Sequence, residues 1–301
     1  MSIDKVVIPV AGMGTRLLPA TKSQPKEMLP IARKPVVQYV VEEMVDQGLK
    51  DILFITGKDK RSIEDHFDRD PELTQRLAEA EDIEHMEEID YESEGVRFFY
   101  TRQMIATGSR LPSGLGDAIA SAEQFVGVEP FVVGLGDTII QSSNYSGLVR
   151  RMIQSHLRYG ASATIAVCDV AEDEVQHYGV VKPKGRAKTD FEIEDIIEKP
   201  SVAEAPSKLA VAARYVFNPE IFAAIKRTPP GIGGELHLTD AIRNLMKMGH
   251  KVRCIRLKRD ERRYDIGSPE SYFKAFIDFA LSDQKHGYLI RQYIEKRLRE
   301  I

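Results

Sequence analysis

Apolar runs of strand length alternate along this chain with segments in which apolar residues recur every three or four positions. That alternation predicts an α/β fold, a mostly parallel sheet with crossover helices. Val6-Val7-Ile8 lies in a strand over 5–10, and residues 35–47 then place Val36, Val37, Val40, Val41, Met44 and Val45 on one helical face, with Gly48 as the stop. Ile52-Leu53-Phe54-Ile55 predicts the second strand and Val96 to Tyr100 another. Between them, residues 79–94 hold nine Asp or Glu in sixteen positions, interleaved with Ile83, Met86 and Ile89, a pattern for a solvated amphipathic helix. Residues 104–116 combine three glycines, a proline and two serines, a surface connection or a substrate lid before a helix starting near Asp117. Pro130 to Asp137 predicts a fully buried central strand whose last residue is acidic, and Ser162 to Val167 a further strand. From about 178 to 217, short runs between polar turns predict a small antiparallel addition beside the main sheet. A helix near 269–281, opened by Ser268-Pro269, and one near 288–299 close the pattern. The last carries a stripe of Leu289, Ile290, Tyr293, Ile294 and Leu298, which either packs on the core or meets a second copy. No repeat or linker interrupts, so 1–301 reads as a single domain with 268–301 at an oligomer interface.

Composition narrows the partners. At 301 residues and 43% hydrophobic content the chain can bury a large core, and a net charge of -4 supplies no global basic field for nucleic acid or an anionic membrane. Phosphate recognition must come from local clusters. Cys168 and Cys254, two thiols in strand-like surroundings, fit a reduced compartment better than a disulfide framework or metal site. The seven histidines nowhere fall in metal-ligand spacing with each other. With no leader ahead of the first strand and no 18-residue apolar run, a soluble cytoplasmic protein is expected.

The chemistry begins at Val10-Ala11-Gly12-Met13-Gly14-Thr15-Arg16, directly after the first strand. A glycine-rich turn there exposes backbone N–H groups of Ala11, Gly12, Gly14 and Thr15 with little side chain in the way, so phosphate oxygens can approach the main chain. Arg16 and Lys26 add two positive charges. A dinucleotide fold wants a third glycine near Leu17, and a Walker loop wants Gly-Lys-Ser/Thr; neither is present. Asp137, ending an almost wholly apolar strand, is expensive unless it leaves the core for solvent, a cation or a partner. A Mg²⁺ carboxylate is the economical reading, since Mg²⁺ is usually held by one or two carboxylates plus substrate phosphates.

The glycine turn, Thr15-Arg16, and Pro25-Lys26-Glu27-Met28-Leu29-Pro30 together are similar to the signature of the sugar-nucleotide pyrophosphorylases. With Pro19-Ala20-Thr21-Lys22 included, they resemble most the bacterial uridylyltransferase branch of that family, and the likeness runs almost the full length of the chain. It implies a Rossmann-like nucleotide-diphospho-sugar transferase fold: a mostly parallel mixed sheet flanked by helices, in one nucleotidyltransferase domain. Ile197-Glu198-Lys199-Pro200 resembles the family's Glu-Lys-Pro motif, whose Glu takes sugar hydroxyls and whose Lys reaches the sugar phosphate. Tyr178-Gly179-Val180-Val181 matches the glycine beside the sugar, and Arg214-Tyr215-Val216 the strand behind it. Asp265 stands where some related nucleotidyltransferases hold the metal. Gly233 to Ile242 also matches, but Thr239-Asp240 before an apolar helix reads as a helix start without chemistry. Departures are Asp117 where the family often has His, Thr138 where a second acid often follows Asp137, and a longer loop over 104–113.

The resemblance implies that glucose 1-phosphate attacks the α-phosphorus of UTP, giving UDP-glucose and pyrophosphate. A phosphate monoester has its second pKa near 6, so the nucleophile is already mostly dianionic and needs no strong base. Catalysis reduces to positioning and charge neutralisation, with Arg16 on the leaving phosphates, Lys26 at the α-phosphate, Lys199 on the sugar phosphate and Mg²⁺ on Asp137. Gln103 offers a donor and an acceptor to the uracil edge, Gly114 a backbone contact, and Glu27 a carboxylate near the nucleoside. Uracil and thymine differ by one methyl, so a thymidylyltransferase stays open. So does an idle sugar-nucleotide-binding relative, although such a protein is expected to lose the charged contacts present here. A homodimer or homotetramer is expected, with neither nucleic acid nor membrane as partner.

Overall fold

A parallel strand covered by helices on both faces must bury every side chain, which is why the continuous apolar runs become the middle of the sheet. A computed structural model describes residues 3–58, 60–91, 94–104, 113–142 and 147–300. The strands are β1 (Lys5–Pro9), β2 (Pro30–Ile31), β3 (Lys34–Pro35), β4 (Asp51–Thr56), β5 (Arg97–Arg102), β6 (Phe131–Gly134), β7 (Thr138–Ser142), β8 (Ala163–Asp169), β9 (Gly179–Pro183), β10 (Asp190–Glu198), β11 (Leu209–Phe217), β12 (Val252–Arg256) and β13 (Glu261–Asp265). The α-helices are α1 (Val36–Val45), α2 (Arg61–Phe67), α3 (Pro71–Glu79), α4 (Ile83–Ile89), α5 (Leu115–Ala120), α6 (Glu123–Val126), α7 (Leu148–Tyr159), α8 (Glu220–Lys226), α9 (Leu238–Lys247), α10 (Pro269–Ser282) and α11 (Gly287–Glu300).

Nine strands form one mixed sheet in the order β5-β4-β1-β6-β11-β8-β12-β10-β9. Strands β5, β4, β1 and β6 are mutually parallel, as are β8 and β12, whereas β11 and β10 run the other way. Strand alternation divides the core between two faces. Val6, Ile8, Ile52, Phe54 and Val132 pack with Val37, Val41, Met44 and Met152 of α1 and α7. Val7, Leu53, Ile55 and Val133 pack with Ile119, Ile221, Ile242 and Leu245 of α5, α8 and α9. Because β1 lies between β4 and β6, the strand order reverses at β1, and the loops leaving β1 and β6 diverge into a crevice. A third cluster, with Leu17, Leu29, Ile31, Ile139, Tyr264 and Ala275, forms an apolar pad that ties the 17–31 segment to β7, β13 and α10.

The segment expected beside the sheet is built into it. Strand β11 is nine residues long and runs through the centre between β6 and β8, because eight of those residues are buried and only a central position covers them. The small antiparallel sheets are instead β7 with β13 and β2 with β3. The strand predicted to reach Asp137 stops at Gly134, and Asp137 stands in the turn where the chain leaves for β7. The acidic stretch holds a shorter helix than predicted, α4, which buries none of its residues. Before it lies α3, not foreseen, with Pro71 in its first turn and the Asp70 carboxylate accepting from the Leu73 N–H at 2.9 Å. Residues 105–112 of the predicted lid lie outside the described residues. Among the described residues no helix is long and apolar enough to cross a membrane.

His156 in α7 is a buried imidazole between β8 and the end of β11. The Asn218 side-chain N–H donates to the Ala161 carbonyl at 3.4 Å, which leaves Asn218 Oδ1 to accept from His156 Nε2–H at 2.9 Å and His156 Nδ1 to accept from the Thr164 hydroxyl at 3.2 Å. Burial holds its pKa below the ordinary value. The folded state therefore resists a proton that the unfolded chain takes up below about pH 6.5, so this contribution to stability is present above that pH and lost as pH falls through the folded value. Urea unfolding at about pH 7.5 and about pH 5.5 is expected to show a larger acid loss for the wild type than for His156→Gln, and equal losses refute the assignment.

Candidate active site

At the end of β1 the Val10 N–H still donates to Ile55 at 2.9 Å, and then the chain leaves the sheet. Gly14 turns it at φ 64°, a conformation side chains with a Cβ rarely adopt. The Leu17 N–H and Thr21 hydroxyl hold the Gly14 carbonyl at 3.0 and 2.7 Å. Among the described residues no internal acceptor faces the N–H groups of 11–15. They border a cavity of about 520 Å³ lined by Ala11, Gly12, Thr15, Lys26, Gln103, Gly114 and Asp137. Glycine loop, Gln103 and Asp137 thus converge as the sequence suggested.

Asp137 and Lys26 form an ion pair at the floor of this cavity. Burial alone would lower the Lys26 pKa; Asp137, with Glu27 and Asp265 behind it, outweighs that and pushes the ammonium up to about 12. Burial alone would raise Asp137, but Lys26 holds its carboxyl below the usual range. Asp265, on β13 beside Thr138, has its carboxyl raised by burial and then by the neighbouring Asp137. Two half-buried carboxylates that repel each other fit a divalent cation, which would relieve both. Among the described residues there is no group of three or more His, Cys, Asp or Glu able to hold a metal. A divalent cation held by these two carboxylates would take its further ligands from substrate oxygens and water.

A second cavity, of about 200 Å³, adjoins the first at Asp137 and Leu135 and is lined by Gly179, Glu198, Tyr215, Thr239 and Asp265. The Thr239 hydroxyl, in the first turn of α9, donates to Glu198 Oε2. A Cβ on Gly179 would come within 3.0 Å of the Thr239 methyl and 3.4 Å of that carboxylate, so glycine there keeps the cavity open. Lys199 lies at its rim, bordering an outer groove of about 1050 Å³, with its ammonium 3.7 Å from Glu198. Lys199 and Ala213, which lines the smaller cavity, both hold positive φ, 42° and 57°, backbone strain of the kind that collects at functional sites. Arg16 borders the smaller cavity and the outer groove but not the larger cavity. Its guanidinium and Asp265 both close on Gly267, where a Cβ would meet them at 2.9 and 2.8 Å.

Two of the side chains expected near the nucleoside already have partners within the chain. Glu27 is 1% exposed and lines the larger cavity with its carboxylate bound to Lys60 at 2.9 Å, because a buried carboxylate requires a cation; its pKa is raised by burial. Gln103 spends its amide hydrogens on the Gly114 carbonyl at 3.1 Å and Asp117 at 2.8 Å, so any base recognition by this side chain rests on its carbonyl oxygen. Asp117 thereby acquires a role, orienting Gln103. Thr138 in place of a second acid donates to Asp137 at 3.3 Å. Thr239 and Arg263 were missed. Arg263 stacks 3.9 Å over the Tyr178 ring, and strand alternation could have found it, since residues 263 and 265 of one strand share a face.

The nucleotidyl transferase family profile matches residues 5–281. Over 294 residues the chain is 41% identical to a UTP--glucose-1-phosphate uridylyltransferase 2 from Staphylococcus saprophyticus, covering 98% of each. A UTP-bound UGPase from Acinetobacter baumannii superposes with a TM-score of 0.86 at 35% identity, over 97% of this chain and 99% of that one. A UDP-glucose pyrophosphorylase complexed with UDP-glucose gives 0.80 at 36%, over 94% of this chain and 100% of that one.

The Glu27–Lys60 pair yields a stability test. Lys60→Met strands a buried carboxylate and is expected to cost about 3–5 kcal/mol in urea unfolding, with much of the loss recovered in Glu27→Gln/Lys60→Met. A near-neutral single variant would show the pair to be solvated.

Proposed function

The chain belongs to the nucleotidyl transferase family, and from that membership we propose how its residues divide the work between two substrates. The reaction joins UTP and glucose 1-phosphate: a sugar-phosphate oxygen bonds to the α-phosphorus of UTP, the bond from that phosphorus to the β-phosphate bridging oxygen breaks, and pyrophosphate leaves with the electron pair. UDP-glucose remains. The observation that carries the division of labour is that the two cavities, about 520 and 200 Å³, meet at Asp137.

In this reading the nucleotide lies in the larger cavity, its phosphates against the N–H groups of 11–15 and Lys26, its base toward Gln103 and Gly114. Glucose fills the smaller cavity, its hydroxyls on Glu198 beside Gly179. Lys199 swings from the rim to the sugar phosphate, and Arg16 leaves Gly267 for the leaving phosphates. Mg²⁺, when held by Asp137 and Asp265, adds positive charge at the α-phosphate. Since the nucleophile is already a dianion, what the chain contributes is alignment and neutralisation of two polyanions, with no general base.

We further infer that a second copy covers the faces of α10 and α11 within residues 268–301, giving a homodimer or homotetramer. Phe273, Leu289, Tyr293 and Leu298 are each more than half exposed, and apolar side chains left uncovered on the two closing helices are what a second copy would bury. Sedimentation is expected to show an oligomer that Leu289→Glu/Tyr293→Glu dissociates, and a monomeric wild type rejects this.

One mutational series tests the site. Asp137→Asn is expected to cut kcat of the folded enzyme by about two orders of magnitude or more, beyond any stability lost by leaving Lys26 without its charged partner, and excess chelator to silence the wild type. Glu198→Ala is expected to raise the KM for glucose 1-phosphate and spare UTP binding, whereas Lys199→Ala lowers kcat. An active Asp137→Asn removes the metal role. If the Glu198 and Lys199 variants bind UTP poorly and glucose 1-phosphate normally, the two substrates are reversed.

A further inference from the structure

Arg214 is a charged side chain with no exposure at all, placed on β11 directly behind the crevice and paired in register with Gly134. Its Nε and Nη2 donate to Glu43 Oε2 of α1 at 3.0 and 2.6 Å. Nη2 also donates to the Thr138 carbonyl at 2.9 Å, and Nη1 to the Ala213 carbonyl at 3.0 Å. We propose that this buried pair is a positioning device, a single rigid guanidinium that fixes the Asp137 carboxylate and the Ala213 wall of the sugar cavity relative to each other.

Energetics argue against a purely stabilising role. Burying two charges costs nearly what their attraction returns, and apolar replacements of such pairs are often neutral or better. Here the cost is higher still, because Glu43 Oε1 is buried without a partner among the described residues. What the pair accomplishes is local. The two carbonyls that follow the Asp137 side chain are both anchored: that of Asp137 by the Ile266 N–H at 2.9 Å, and that of Thr138 by Arg214. The aim of the carboxylate is thereby set from β13 on one side and from β11 and α1 on the other. At its other end the same guanidinium holds the Ala213 carbonyl, which also accepts from the Leu135 N–H at 3.1 Å. Ala213 keeps φ 57° inside an irregularity of β11 between Val211 and Tyr215, and these two bonds hold its strained backbone against the cavity. A lysine could neutralise Glu43 but lacks the planar fork that reaches both carbonyls.

The proposal rests on the reading that Asp137 meets the metal and the phosphates, and its test separates the two. Arg214→Met/Glu43→Met removes both charges and keeps the volume apolar. It is expected to fold with a Tm near the wild type and bind UTP normally, while kcat and the affinity for Mn²⁺ in the presence of UTP, read by electron paramagnetic resonance, fall about 10- to 100-fold. Arg214→Lys is expected between the two, a partial rescue. A folded Met pair with wild-type kcat and Mn²⁺ affinity overturns the proposal. So does a loss of rate that follows Tm while Mn²⁺ affinity is unchanged. Should the Met pair fail to fold, Arg214→Lys decides, and wild-type kcat and Mn²⁺ affinity in it overturn the proposal equally. Asp137→Asn that still binds Mn²⁺ sinks the metal reading and this inference together; Asp137→Asn that loses Mn²⁺ while the Met pair keeps it sinks this inference alone.

Discussion

Lys26 and Asp137 face each other where β1 and β6 part, and the rest of the site is arranged around the cost of putting those two charges there. Neither belongs in an apolar sheet by itself. Together they offset each other's burial, and the ammonium, pushed up to about 12, stays charged at any neutral pH. A site for two polyanions has to present cations without collapsing around them, and it needs a carboxylate if a divalent ion is to share the load. An ion pair lining the cavity meets both demands, since either partner can exchange the other for a ligand of opposite charge.

Holding such a pair requires support on every side. The loop that carries Lys26 rests on the apolar pad of Leu17, Leu29, Ile31, Tyr264 and Ala275, so a segment with little regular structure of its own is packed like core. The turn that carries Asp137 is tied by main-chain bonds to β13 and β11. Glu27, next to Lys26, is bonded from behind by Lys60, and its carboxylate adds to the field that keeps the ammonium charged. At the smaller cavity, Thr239 orients Glu198 and the absence of a side chain at Gly179 leaves the room that both need. Local strain at Lys199 and Ala213 is tolerated because the surrounding strands over-determine those positions.

The central strands were legible because parallel strands buried on both faces leave unbroken apolar runs, as in Val6-Val7-Ile8 and Phe131-Val132-Val133. Helix α1 was legible from its period and Gly48, and α10 from Ser268-Pro269. β11 was misplaced because nothing local distinguishes a strand that joins a neighbouring hairpin from one inserted between β6 and β8. For Glu27 and Gln103 the sequence showed the side chain but not its partner. Their chemistry suits a nucleoside, but whether an amide or a carboxylate is free depends on Lys60 and Asp117, which lie 33 and 14 residues away along the chain.

By itself, then, the sequence determined which segments become buried strands and helices and where the chain must turn on glycine, and it named the charged candidates for the chemistry: Arg16, Lys26, Asp137, Glu198, Lys199 and Asp265. The elements, the turns and the expense of Asp137 follow from periodicity, from the conformational freedom of glycine and from the cost of charge in apolar surroundings, all of which act over a few residues; Glu198, Lys199 and Asp265 were marked by the family resemblance of their motifs. Only the tertiary structure decided which charges neutralise one another, that the two cavities share Asp137, and that Arg214 ties the carbonyls of Thr138 and Ala213. Those are contacts between residues far apart in the chain, and their partners are chosen by sheet order and by which side chains the packed core leaves no other way to satisfy.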